Sequence, residues 1–142
     1  MYQDALLKQH NKRYVIRQLT QHGITPTQQR VEIGLVLLTK CQHLSADQVL
    51  ERVNASSTIV SKATIYNTLS LFVNKGLAKE VNVDSTRILY DSNTRHHHHF
   101  YNIDTGTLYD IDAEQLELKH VPTPPEFAAI KDVEIIVRVR QA

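Results

Sequence analysis

The chain has one cysteine, Cys41, no tryptophan, and only four glycines in 142 residues. A single thiol closes no intrachain disulfide and builds no cysteine-based structural zinc site. So few glycines leave no Gly-rich phosphate loop, and no Ser/His/Asp or Cys/His arrangement stands out for nucleophilic catalysis. No apolar run approaches the roughly 18 residues of a membrane span, and no signal-peptide pattern opens the sequence. A cytoplasmic protein without a membrane partner is expected, and an enzyme is not. Net charge is also nearly absent, at +1. That balance conceals an asymmetry. Residues 1–95 carry 12 Lys/Arg against 7 Asp/Glu, and residues 96–142 carry 4 against 8. A basic front half beside an acidic back half fits a polyanion-binding module joined to a cation-binding one.

What the sequence does have is histidine. Four of its eight histidines form one run, His96-His97-His98-His99, followed by Phe100 and Tyr101 and then by the turn signal Asp104-Thr105-Gly106. Read as a strand from Arg95 to Ile103, the run alternates faces, with His97 and His99 on one side and His96 and His98 on the other. Residues i and i+2 lie roughly 6.5–7 Å apart along a strand, so two imidazoles of one face can converge on an ion with bonds of about 2.1 Å. Imidazole suits iron, zinc, nickel and copper alike, so the run indicates a metal without selecting one. A solvated edge strand that merely carries histidines is the plain alternative, and the rest of the chain weighs against it.

Taken in order, residues 4–21 pattern as a basic amphipathic helix stopped at Gly23. Thr27 N-caps a second helix running to about Thr39. After a connector at Cys41–Leu44, Ser45 and Gln48 form a capping box for a third helix. Ser56-Ser57-Thr58 reads as a turn. Ser61 caps a fourth helix over Lys62–Lys75, with Gly76 as its C′ residue. Two alternating runs, Leu77–Val83 and Thr86–Tyr90, read as a hairpin. This is the layout of a winged helix-turn-helix whose fourth helix reads the major groove, presenting Lys62, Thr64 and Tyr66. Beyond a break at Ser92–Thr94, the expected elements are the His strand, a strand at Leu108–Ile111, a helix over Ala113–His120, and a strand over Asp132–Arg140. The expected fold is therefore α+β. A winged-helix DNA-binding domain spans 1–91, and a small αβ dimerisation and metal-sensing domain spans 95–142.

Lys62-Ala63-Thr64-Ile65-Tyr66-Asn67-Thr68-Leu69, a wing, and then a His-rich strand together resemble the ferric uptake regulator family. The resemblance extends from about Gly23 to Arg140. Tyr90–Thr94, His96–Tyr101 and Ile136–Arg140 look most like its iron response regulator branch. The resemblance implies a metal-responsive, dimeric repressor that binds double-stranded operator DNA. Carried over residue by residue, it gives the regulatory ligands His43, Asp91, His97, His99 and Asp110, with Tyr90 as the alternative to Asp91. Three imidazoles and two carboxylates suit Fe²⁺ or Mn²⁺, with Zn²⁺ able to bind in vitro. A second site would use His96, His98 and Glu117, but its usual last histidine falls at about Val133. The iron response branch associates this cluster with haem; its Cys-Pro haem motif is absent, since Cys41 precedes Gln42. The family's Cys-x-x-Cys zinc positions read Asn102 and Thr105, so no four-cysteine structural zinc is expected. For DNA contact the resemblance points to Arg30 and Tyr66.

Two readings from other classes are weaker. A non-haem iron oxygenase would need open coordination positions that five ligands leave scarce. A histidine-rich metal store would not need the winged helix. Within the family, a peroxide-sensing repressor using metal-catalysed histidine oxidation is the alternative, because aspartate-containing iron sites resemble those of the peroxide-responsive branch.

Overall fold

A computed structural model describes residues 2–55 and 59–142. The expected turn at Ser56–Thr58 lies outside them. The chain divides into two compact units, 1–94 and 95–142.

The first unit begins with four helices, α1 (Tyr2–Gln21), α2 (Gln28–Leu37), α3 (Ala46–Asn54) and α4 (Lys62–Asn74). Their ends are set by local chemistry. Gly23 closes α1 at φ +73, where a residue with a Cβ would be strained. The amide of Ile24 then donates back to the Leu19 carbonyl at 2.9 Å. Thr27 accepts from the Arg30 amide, and Ser45 and Gln48 cap α3 reciprocally. Ser61 accepts from the Thr64 amide at 3.1 Å to open α4. Between α3 and α4, the Asn54 side-chain amide pairs with both backbone groups of Val60, at 3.0 and 2.8 Å.

These helices enclose the core. Val15, Leu19, Ile33, Leu37, Val49, Ile65, Leu69 and Phe72 are all fully buried. Gly34 matters to that packing. A Cβ built there would meet Val15 Cγ1 at 2.5 Å. Alanine normally helps a helix interior by about 0.5–1 kcal/mol over glycine. Here Gly34→Ala is expected to destabilise the unit by about 1–3 kcal/mol, because the rigid Val15 must move inside a close-packed core. The urea midpoint measures it; a rise would show that Val15 gives way freely.

The wing is a three-stranded antiparallel sheet in the order β1 (His43–Leu44), β3 (Arg87–Asp91), β2 (Lys79–Asp84). The two-residue β1 lies in the stretch expected to be a plain connector. It pairs His43 with Asp91 and Leu44 with Tyr90.

The second unit is a sheet in the order β5 (Leu108–Asp112), β4 (His97–Asn102), β6 (Ile136–Val139). β5 runs antiparallel to β4, and β6 parallel to it. Gly106, at φ +74, makes the β4–β5 turn. The Asn102 side-chain oxygen accepts from the amides of Asp104 and Thr105, and its nitrogen donates to Gln141 at 2.7 Å. Polar bonding thus organises the turn at the positions where relatives were expected to place cysteines.

Two expectations fail here. The helix expected over Ala113–His120 is only a 3₁₀ turn at Ala113–Gln115. Gln115 reaches back to the Asp112 amide at 3.0 Å and starts a turn. Propagation then lacks an apolar face to bury: Leu116 is half-buried, Leu118 is exposed, and Pro122 follows closely. The last strand is also shorter than the expected Asp132–Arg140. The Ile135 carbonyl still accepts from the His99 amide, but its own N–H goes to the His98 ring at 3.0 Å instead of into the ladder.

Candidate metal centre and nucleic-acid face

Strand alternation sorts the four histidines into two pairs. The His97 and His99 rings are 4.5 Å apart between centroids, and the His96 and His98 rings 5.0 Å apart. Register then adds a carboxylate to the first pair. His99 faces Asp110 across the β4–β5 ladder, so the two side chains share a face of the sheet. The Nε2 atoms of His97 and His99 both lie 3.5 Å from the same Asp110 oxygen. His97, His98 and His99 are buried, whereas Asp110 is partly open. Two imidazole nitrogens converging on one carboxylate oxygen form a donor set that fits a divalent cation.

The first unit builds a smaller pair. The β1–β3 register sets His43 opposite Asp91, and His43 Nε2 lies 3.2 Å from Asp91 Oδ2. Asp91 Oδ1 accepts from the Asn93 amide at 2.8 Å, which fixes the carboxylate's orientation. Tyr90, one residue away, points to the other face and packs in the hydrophobic core. Burial, with Glu80 and Tyr66 adding to it, raises its hydroxyl pKa above the ordinary value. The register thus sets Asp91, and not Tyr90, on the same face as His43.

His98 is committed elsewhere. Its Nδ1 accepts from the Ile135 amide, which requires an unprotonated Nδ1 and leaves Nε2 for any other partner. Burial lowers its pKa, the neighbouring His96 lowers it further, and Glu134 opposes them. The ring is accordingly neutral near pH 7. Glu117 is exposed beyond the 3₁₀ turn, and no ligand cluster among the described residues includes it, His96 or His98.

Sequence reasoning missed Glu134. Its Oε1 lies 3.4 Å from His99 Nδ1. Glu134 lies in the stretch expected to be the last strand, but only the parallel pairing of β6 with β4 brings that stretch beside His99.

On α4, Tyr66 is exposed, and Lys62 Nζ lies over its ring at 6.0 Å from the centroid. Lys62 also pairs with Asp47 at 3.5 Å, with both side chains well exposed. Arg30 and Thr64 line one polar groove of about 590 Å³ between the start of α2 and α4, together with Asn67. Arg30 is steadied there by donating to the Thr25 carbonyl at 3.0 Å.

A winged helix-turn-helix followed by a small αβ unit with an imidazole–carboxylate cluster defines the class of metal-responsive transcription regulators. Residues 21–136 match the model of the ferric uptake regulator family, and the chain belongs to that family. It is 32% identical over 108 residues to the peroxide-responsive repressor PerR of Staphylococcus aureus strain Mu50, over 76% of this chain and 73% of that protein. The ferric uptake regulator of Pseudomonas aeruginosa with manganese is 25% identical and superposes with a TM-score of 0.67, covering 89% of this chain and 97% of that one. The regulator of Francisella tularensis with iron is 21% identical, with a TM-score of 0.64 over 84% of this chain and 92% of that one, a likeness of fold. The family is thereby assigned, and the iron response branch within it is not.

Proposed function

We propose that the chain is a cytoplasmic, homodimeric repressor whose binding to operator DNA is set by Fe²⁺ or Mn²⁺, held by His43, Asp91, His97, His99 and Asp110. The observation that carries this reading is the convergence of the His97 and His99 Nε2 atoms on one Asp110 oxygen. The solved relative from Pseudomonas aeruginosa with manganese supports a divalent ion of this kind. A ligand that binds one domain arrangement better shifts the population towards it, and so couples metal to DNA. Residues 1–91 serve DNA and residues 95–142 serve dimerisation and sensing. Exposed apolar side chains in the second unit, including Phe100, Tyr109 and Phe127, are consistent with a partner copy. His96 and His98 form a candidate second site for metal or haem, offering His98 Nε2, with Glu117 as its distal carboxylate. On DNA, Arg30, Lys62, Thr64 and Tyr66 make the contacts.

Gel shifts in chelator, Fe²⁺, Mn²⁺ and haem test the reading. Binding should differ between chelator and at least one metal and should weaken steeply with salt. Identical binding in all four conditions would rule out sensing. Tyr66→Ala should weaken specific binding by about 1–3 kcal/mol at unchanged metal content and dimer state.

A second reading, peroxide sensing by oxidation of a ligand histidine, is favoured by the aspartates at positions 91 and 110 and by the similarity to a peroxide-responsive repressor. After Fe²⁺ and peroxide, mass spectrometry should find added oxygen on His43 or His97. An unmodified pair argues against it.

A further inference from the structure

The two histidines that converge on Asp110 are backed by different groups. A neutral imidazole carries one N–H and one lone pair, and an acceptor placed at Nδ1 keeps the proton there and frees Nε2 to bind a metal. For His97 that acceptor is the backbone carbonyl of Arg95. For His99 the group nearest Nδ1 is a carboxylate, Glu134 Oε1, at 3.4 Å, within ion-pair reach but out of line for a hydrogen bond as it stands. Glu134 is brought there by the segment leading into the parallel ladder, which starts with His99 paired to Ile136, two residues further on. Glu134 lies just before β6, and the contact of its carboxylate with the His99 ring puts it beside the side of the sheet that carries His97, His99 and Asp110.

We propose that Glu134 is a positioning residue of the metal site. With the metal bound, its carboxylate accepts a hydrogen bond from the Nδ1–H of His99, fixes the tautomer with the lone pair on Nε2, and makes that nitrogen a stronger donor to a divalent cation. A carboxylate behind a ligating imidazole raises its basicity more than a neutral carbonyl does. The proposal rests on the metal site described above and adds a residue that binds no metal itself. Its side chain is 40% exposed. A surface pair of this kind contributes little to folding. Its effect should therefore show in metal affinity and hardly at all in the stability of the metal-free protein.

The test compares the full-length chain with Glu134→Ala, Glu134→Gln and, as a control, His97→Ala. Mn²⁺ affinity is measured by competition with a chelating dye, the ligand field by the absorption spectrum of the Co²⁺-loaded protein, and folding by thermal melting without metal. Glu134→Ala should weaken Mn²⁺ binding by about 10-fold or more and shift the Co²⁺ bands, with the metal-free melting temperature unchanged. Glu134→Gln keeps an acceptor oxygen at Nδ1 and should recover part of the lost affinity. The proposal is overturned if Glu134→Ala binds Mn²⁺ within twofold of the parent with the same Co²⁺ spectrum. It is equally overturned if the affinity falls only in step with a lower melting temperature, since Glu134 would then be holding β6 in place. His97→Ala separates the levels. If it loses Mn²⁺ while Glu134→Ala does not, the site stands and the positioning role falls. If it binds like the parent, the site and the role fall together.

Discussion

Alanine at His97 is expected to empty the regulatory site, lowering Fe²⁺ or Mn²⁺ affinity by more than about 100-fold, whereas alanine at both His96 and His98 should leave that ion in place. The difference follows from strand geometry. His97 shares its face with His99 and Asp110, and its Nε2 is aimed at the Asp110 oxygen. His98 looks the other way and spends its Nδ1 on the Ile135 amide. Removing His97 takes away a donor and leaves the remaining ones without chelate geometry. Metal counts at equal protein concentration decide the matter. If His96→Ala empties the site and His97→Ala spares it, the ligand assignments on this strand must be exchanged. His43→Ala extends the test to the first unit. A loss equal to that of His97→Ala means that the His43–Asp91 pair and the β4–β5 cluster serve one ion. A retained ion would assign it to the second unit alone.

Local signals made much of this legible in advance. Capping residues act within three or four positions of their own helix, so Thr27, Ser45 with Gln48, Ser61 and Gly76 mark helix ends without knowledge of the fold. The period of two does the same for the His strand, whose ring contacts fall into the two expected pairs. What stayed hidden depends on partners distant in sequence. Nothing near Cys41–Leu44 announces a strand, because β1 is two residues long and exists through its pairing with β3. The same pairing sets Asp91 opposite His43 while Tyr90 packs in the core, a placement the sequence left open. Glu134 belongs here too: its neighbour His99 lies 35 residues earlier, brought near by the parallel pairing that starts at Ile136. The failed helix at Ala113–His120 shows the converse. Good local helix formers do not hold a helix that has no apolar face to bury.

Phe72→Ala should be the most damaging single change to the first unit, costing about 3–5 kcal/mol of its stability. Phe72 is fully buried and, among the described residues, is the largest of the side chains shielded completely from solvent. It sits on the inner face of α4 with Ile65 and Leu69, at the i, i+4, i+7 spacing of a core stripe. Truncation removes the ring's burial and leaves a cavity that the close-packed core around it fills only in part. Against the 5–15 kcal/mol typical of a domain, the loss is a large share. The outer face of the same helix carries Tyr66, so the two substitutions should separate cleanly. Tyr66→Ala is expected to lower DNA affinity with little change in the urea midpoint, since its ring is 43% exposed. Phe72→Ala should shift that midpoint strongly, and it should lower DNA binding only as far as the folded fraction falls. Urea unfolding and gel shifts on both variants read this out. A parental midpoint for Phe72→Ala would mean that α4 does not pack as the central helix of the unit.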